Sequence, residues 1–207
     1  KMTGAARSFA VCHAGAVAVL FAPNPALWTV LWSIALWAWG ELGVTAGCHR
    51  LWTHRSYRAA LPLRIFLALG AATAAMTPIE SWVRDHRIHH KYTDTDRDPH
   101  NSRRGLYYSH IGWLLRPEPA EITKARAEVN VADLHADIVV RVQDSIDPVG
   151  TIVMCFIMPP TVAVWLWGES ALVAILWTVC LRWTILLHCI WSVNSIAHRF
   201  GERSHDP

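Results

Sequence analysis

The apolar residues of this 207-residue chain come in long, nearly unbroken blocks, which few folds can accommodate. Surface helices of soluble proteins instead space their apolar residues along one stripe. Ser8 to Phe21 is apolar but short, Leu27 to Cys48 is interrupted only by Glu41, Thr151 to Trp167 is uncharged, and Ser170 to Val193 carries one arginine. A spanning helix needs about twenty apolar residues. The blocks therefore predict an all-α integral membrane protein with four transmembrane helices in two hairpins, at approximately 8–22, 27–47, 151–167 and 170–193. The first is marginal in length, as expected if Lys1 is an arbitrary start that clips it. No basic region and small-residue cleavage site frame that run, so a cleavable signal peptide is not expected.

Lys and Arg accumulate on the cytoplasmic side of membrane proteins. The turns Ala22 to Ala26 and Gly168 to Glu169 contain neither, whereas nearly all basic residues lie before Ser8, between Cys48 and Gly150, or after Val193. Both termini and a cap formed by 48–150 and 194–207 are thus expected in the cytosol, as parts of one domain covering 1–207. A net charge of +3 with both signs mixed gives no support to a nucleic-acid role. The five cysteines are odd in number and lie in or beside the spans, where reduced, apolar fillers are expected. Within the cap, Leu61 to Met76 reads as an interfacial helix, Asp94 to Arg104 as a turn-rich loop, and Pro117 to Asp147 as surface helices. Arg182, a charge inside a span, is read as structural. The many tryptophans of the spans are read as an interfacial belt or packing.

Three histidine clusters lie beside these blocks: His49 with His54, His86 with His89 and His90, and His198 four residues after Asn194. Imidazole is the commonest metal ligand among side chains. Residues i, i+3 and i+4 share a helix face, so His86, His89 and His90 can point to one side and serve two neighbouring ions. The i, i+5 pair His49 and His54 would stand roughly 140° apart on a regular helix and converge only where the helix bends or ends. Histidine alone does not name the ion, and no H-E-x-x-H is present. The remaining histidines, His13, His100, His110, His135, His188 and His205, read as polar caps.

At these residues the chain resembles the membrane fatty-acyl desaturases of the acyl-CoA delta-9, or stearoyl-CoA, type. The resemblance rests on Gly43 to Gly47, His49 to Ser56, Trp82 to Thr93, Asp98 to Gly105, Ser109 to Leu115 and Trp191 to His198. It implies four spanning helices under a helical cytosolic cap that holds a histidine-rich centre of two non-haem irons, with zinc as an ion that recombinant material can take up. It implies His49, His54, His86 and His90 as ligands of one iron, His89 and His198 as ligands of the other, and Asn194 as acting through a water. Arg84 and Asp85 would meet the coenzyme A headgroup, and Trp191 the acyl tunnel. The activity implied is oxygen-dependent desaturation of a long-chain fatty acyl-CoA to a cis alkene, in the endoplasmic reticulum if the source is eukaryotic. Dioxygen, membrane lipid and a cytochrome b5-type donor with its reductase are the implied partners, since no haem or flavin motif is present. An all-nitrogen ligand set is neutral, so Asp85, Asp94, Asp96 and Asp98 are candidates to balance the metal charge.

The family pattern has a further H-x-x-H-H box beyond the position of Pro207, so the resemblance implies a fragment that binds metal incompletely. Thr77 stands where many relatives have Asn, and Pro117-Glu118 near where they have a basic pair, with only Arg116 adjacent. These departures, and Ile190 beside Trp191, leave chain length and double-bond position open. Two other readings remain: a related histidine-box hydroxylase, and a non-catalytic membrane protein with structural zinc.

Overall fold

A computed structural model describes residues 4–200, and His205 lies outside them. Every regular element among the described residues is helical. Helix α1 covers Gly4–Ala18 and tightens into a 3₁₀ turn over Val19–Phe21. Helix α2 is one rod from Leu27 to Thr53, and α3 (Leu61–Ala74) and α4 (Ile79–Tyr92) meet at an 83° bend. After four short helical segments come α5 (Ile138–Ile146), α6 (Val149–Trp167) and α7 (Ala171–Arg199).

Among the described residues, α2, α6 and α7 are long and apolar enough to cross a membrane. The first apolar run forms a helix over Ala6–Phe21, shorter than the length such a crossing needs. Its packing against α7 places Cys12, Cys180, Trp183, Leu187 and Trp191 in one apolar cluster. The stretch expected to be helical from Leu61 forms α3, with Pro62 in its first turn, where a missing N–H costs nothing. One side of α3 is buried against α2, while Leu61, Leu63, Ile65 and Phe66 remain exposed.

Glycine sets the distance between α2 and α3. A Cβ at Gly43 would lie 2.1 Å from the Ala71 amide nitrogen, and one at Gly70 would lie 2.6 Å from the Trp39 carbonyl oxygen. The two backbones therefore touch, which fixes where α2 ends relative to the α3–α4 bend. Arg182 of α7 is 2% exposed and spends its guanidinium on carbonyls. It donates to Thr178 O (2.6 Å), Thr73 O (2.9 Å) and Cys155 O (3.1 Å), so α3, α6 and α7 share one cation. The structural expectation for this arginine holds, and its partners are backbone groups in neighbouring helices. At the opposite end of the rods, Glu169 accepts from Ala26 N (2.9 Å) and Thr29 Oγ1 (2.6 Å), closing the two turns on each other.

All five cysteines are free thiols. Trp28 and Trp165, 64% and 83% exposed, fit an interfacial belt, whereas Trp183 is buried and donates to Ala74 O at 2.8 Å.

Candidate metal centre

The problem posed by the i, i+5 histidines is solved by the backbone. From Gly43 to Thr53, α2 winds as a π-helix, in which the N–H of residue i+5 bonds the carbonyl of residue i. His54 N donates to His49 O at 3.0 Å. That bond stacks position 54 over position 49, so the two side chains leave the rod on the same side. The ring centroids are 4.5 Å apart and the two Nε2 atoms 3.1 Å apart.

Helix α4 packs on this segment and supplies the opposing pair. His86 and His90, one turn apart, bring their Nε2 atoms to 3.0 Å. One nitrogen from each of His49, His54, His86 and His90 lies within 4.8 Å of the others. No carboxylate among the described residues joins this group. Metal–nitrogen bonds of about 2.0–2.1 Å place ligand nitrogens roughly 3–4 Å apart, so the four imidazoles fit a single cation. Trp82 stacks on His86 with centroids 4.7 Å apart and holds that ring in place.

Electrostatics prepares these rings for a metal. Burial, reinforced by neighbouring His90 and His49, pushes His86 down to about 2. Burial and the nearby His54 and His89 lower His90 to about 4. Both are therefore neutral at pH 7, the form that ligates.

His89 faces a different direction. It is 4% exposed, and its Nδ1 lies 2.9 Å from Asp98 Oδ1. Asp98 also accepts from His100 N (2.9 Å) and Asp94 N (2.8 Å). A carboxylate on one ring nitrogen fixes the tautomer and leaves Nε2 as the lone-pair donor, an arrangement typical of metal-bound histidine. His198, from α7, has its ring centroid 4.9 Å from that of His89. Asn194, one turn earlier on α7, lines the adjoining cavity. The structure thus brings four of the expected ligands into one cluster and sets His89 and His198 together beside it, where His89 is 5.8 Å from His86 between centroids.

Of the four aspartates weighed as charge partners, Asp98 touches the candidate ligand His89. Asp94 accepts from Ser102 N at 2.9 Å and builds the loop, while Asp96 is exposed. Asp85 is held by both Nε and Nη2 of Arg126 (2.6 and 2.8 Å), and Arg84 pairs with Glu80. Arg126 also bonds Glu118, so that acidic residue is itself matched by a guanidinium from Ala120–Glu128.

Three histidines read as polar caps form a connected chain. His13 Nε2 is 2.9 Å from His188 Nε2, His188 Nδ1 is 2.9 Å from His110 Nε2, and His110 Nδ1 is 2.8 Å from Ser195 Oγ. His100 is buried beside the centre, 5.5 Å from His89 between centroids, and burial together with His89 pushes it down to about 3. Its place in Asp-Pro-His, two residues after Asp98, was the available signal. His135 is the surface group expected and pairs with Glu80.

A cavity of about 320 Å³ opens beside His49 and His86 and runs between α2 and α7, with Trp82, Trp113 and Trp191 in its wall. Asp85 lies at the end nearer α4, and Trp191, completely buried, packs against Phe9, His110 and His188.

The fatty acid desaturase family model matches residues 10–207. The chain belongs to the fatty acid desaturase family. Among curated proteins, it is 46% identical over 195 residues to stearoyl-CoA desaturase 5 of Homo sapiens, an alignment covering 94% of this chain and 59% of that protein. It is 46% identical over 196 residues to the acyl-CoA desaturase of Cyprinus carpio, covering 94% of this chain and 60% of the relative. With the stearoyl-CoA desaturase of Sus scrofa the figures are 42% over 195 residues, 94% and 54%. This desaturase-family chain therefore spans little more than half the length of the curated relatives it matches.

Proposed function

We propose that the protein carrying this chain introduces a cis double bond, at the delta-9 position, into a long-chain fatty acyl-CoA at a non-haem di-iron centre, using dioxygen and electrons from a separate cytochrome b5-type donor. The observation that carries this reading is the convergence of four imidazoles at the end of an apolar rod, against a cavity with largely apolar walls. Removing hydrogen from an unactivated methylene pair needs an oxidant that no side chain supplies, and iron with dioxygen provides it when bound. The remaining work belongs to the protein's own residues. His49, His54, His86 and His90 would hold one ion, and His89 and His198 the other, with Asn194 acting through a water. Asp98 keeps the His89 ring turned so that Nε2 is free to ligate. Arg84 and Asp85 would meet the coenzyme A headgroup, and the Arg126 clamp keeps the Asp85 carboxyl at the cavity edge. Trp82, Trp191 and Ile190 line the cavity, exclude water and restrict which carbons can approach the histidines.

In this reading α2, α6 and α7 cross the bilayer, α1 packs on α7 as part of a fourth span, and the helices between α2 and α6 form a cytosolic cap, of the endoplasmic reticulum if the source is eukaryotic. The basic residues of the cap support that orientation. Expression of the complete gene in a desaturase-deficient host, with gas chromatography of the fatty acids, tests it. A new monounsaturated acid that disappears in His86→Ala is expected. A hydroxylated product, or unchanged lipids with folded protein in the membrane, would overturn it.

A further inference from the structure

The cavity is apolar in most of its wall, yet a carboxyl group stands in it. Glu41 interrupts the second apolar block of the sequence. It lines the cavity together with Thr45 and His49 at steps of four residues, one stripe of α2 running away from the histidines. Eight residues, about two turns of the rod, separate Glu41 from His49. The facing wall is Leu187, Cys189, Ile190 and Trp191 of α7, with the Cys189 thiol the polar group nearest Glu41 in it.

Glu41 Oε1 is buried and has no hydrogen-bond partner among the described residues. The Nε1 atoms of Trp113 and Trp191, also in the wall, are buried and unmatched in the same way. Buried polar atoms in folded proteins nearly always find a partner, and one left without it is destabilising. A plain hydrocarbon tail lying along α2 would leave Oε1 unmatched. A hydroxyl at that depth would donate to it.

We infer that the acyl cavity is built for a chain bearing a hydroxyl group near its tail, with Glu41 as the residue that accepts its hydrogen bond and selects it over the unsubstituted chain. This rests on the reading of the cavity as the acyl site. Selection of this kind is strong where a site's polar group is left unpaired by the analogue lacking the hydroxyl.

The test compares saturated acyl-CoA thioesters from dodecanoyl to octadecanoyl with the same thioesters carrying a terminal hydroxyl. Their binding to the detergent-solubilised chain is followed by quenching of tryptophan fluorescence, and their turnover is measured in the full-length gene product. The wild type is expected to bind the best hydroxylated chain about tenfold more tightly than its plain counterpart. Glu41→Leu should abolish or reverse that preference, and the isosteric Glu41→Gln, whose amide oxygen can still accept, should keep part of it. Equal affinity for the two series in wild type and Glu41→Leu alike would overturn the inference while leaving the acyl-CoA reading intact, and would mean that water matches the carboxyl. Failure of the wild type to bind either series would overturn both. Circular dichroism of Glu41→Gln separates a lost preference from a lost fold.

Discussion

Replacing Asp98 with asparagine changes one oxygen into an amide nitrogen at the most tightly surrounded carboxylate near the centre. Three donors converge on Asp98: His89 Nδ1 and His100 N on Oδ1, at 2.9 Å each, and Asp94 N on Oδ2 at 2.8 Å. An amide has one carbonyl oxygen, so in either orientation at least one of these N–H groups must face an NH2. A buried donor without an acceptor costs about 1–3 kcal/mol. In a chain of this length each kcal/mol lowers the melting temperature by about 2–4 °C, so a loss of about 2 kcal/mol corresponds to about 4–8 °C. The metal should report the change separately, because losing the partner that orients a ligating histidine typically lowers affinity about 10–100-fold. The assays are thermal unfolding in detergent by near-ultraviolet circular dichroism, and cobalt titration of the full-length protein against a competing chelator. Asp96→Asn, in the same loop but exposed, is the control. If Asp98→Asn matches that control in both melting temperature and cobalt affinity, the account of Asp98 as the clamp on His89 is refuted.

Gly43→Ala should be far more damaging than an ordinary added methyl, because its Cβ would fall on backbone atoms of α3 that cannot move aside; loss of monodisperse protein in size-exclusion chromatography is expected, and a normal elution profile would contradict the contact. Acid should destabilise the metal-free protein: His100, pushed down to about 3 by burial, stays neutral when folded, while the unfolded chain takes up a proton near pH 6.5. Stability is therefore lost as pH falls below about 6.5, by about 2 kcal/mol from this group between pH 6.5 and 5; the melting temperature should drop over that window in wild type and drop less in His100→Gln, and a flat profile would count against the buried neutral ring.

The apolar blocks made α2, α6 and α7 legible because spanning length is a local property of sequence. The same holds for His86 and His90, whose convergence follows from helical spacing alone. His49 and His54 were legible as ligands but not as geometry, since a regular helix separates them and only the π-helical winding of Gly43–Thr53 brings them together. Among three aspartates in one loop, nothing in the spacing distinguishes Asp98; the distinction arises from how the loop folds back on His89. The chain of His13, His188 and His110 was invisible for a related reason. His13 and His188 are 175 positions apart, and no local pattern records a contact across that distance. The short first run told only half its story, as it forms a helix whose role follows from packing on α7.

The π-helical winding of α2 also limits how this protein can vary. The wider winding is a property of residue count, so the phase between His49 and His54 cannot survive the gain or loss of a single codon there. One deletion would let the rod relax to ordinary pitch and swing one imidazole out of the group of four. At this end of the rod the count of residues is thus as constrained as the buried side chains themselves.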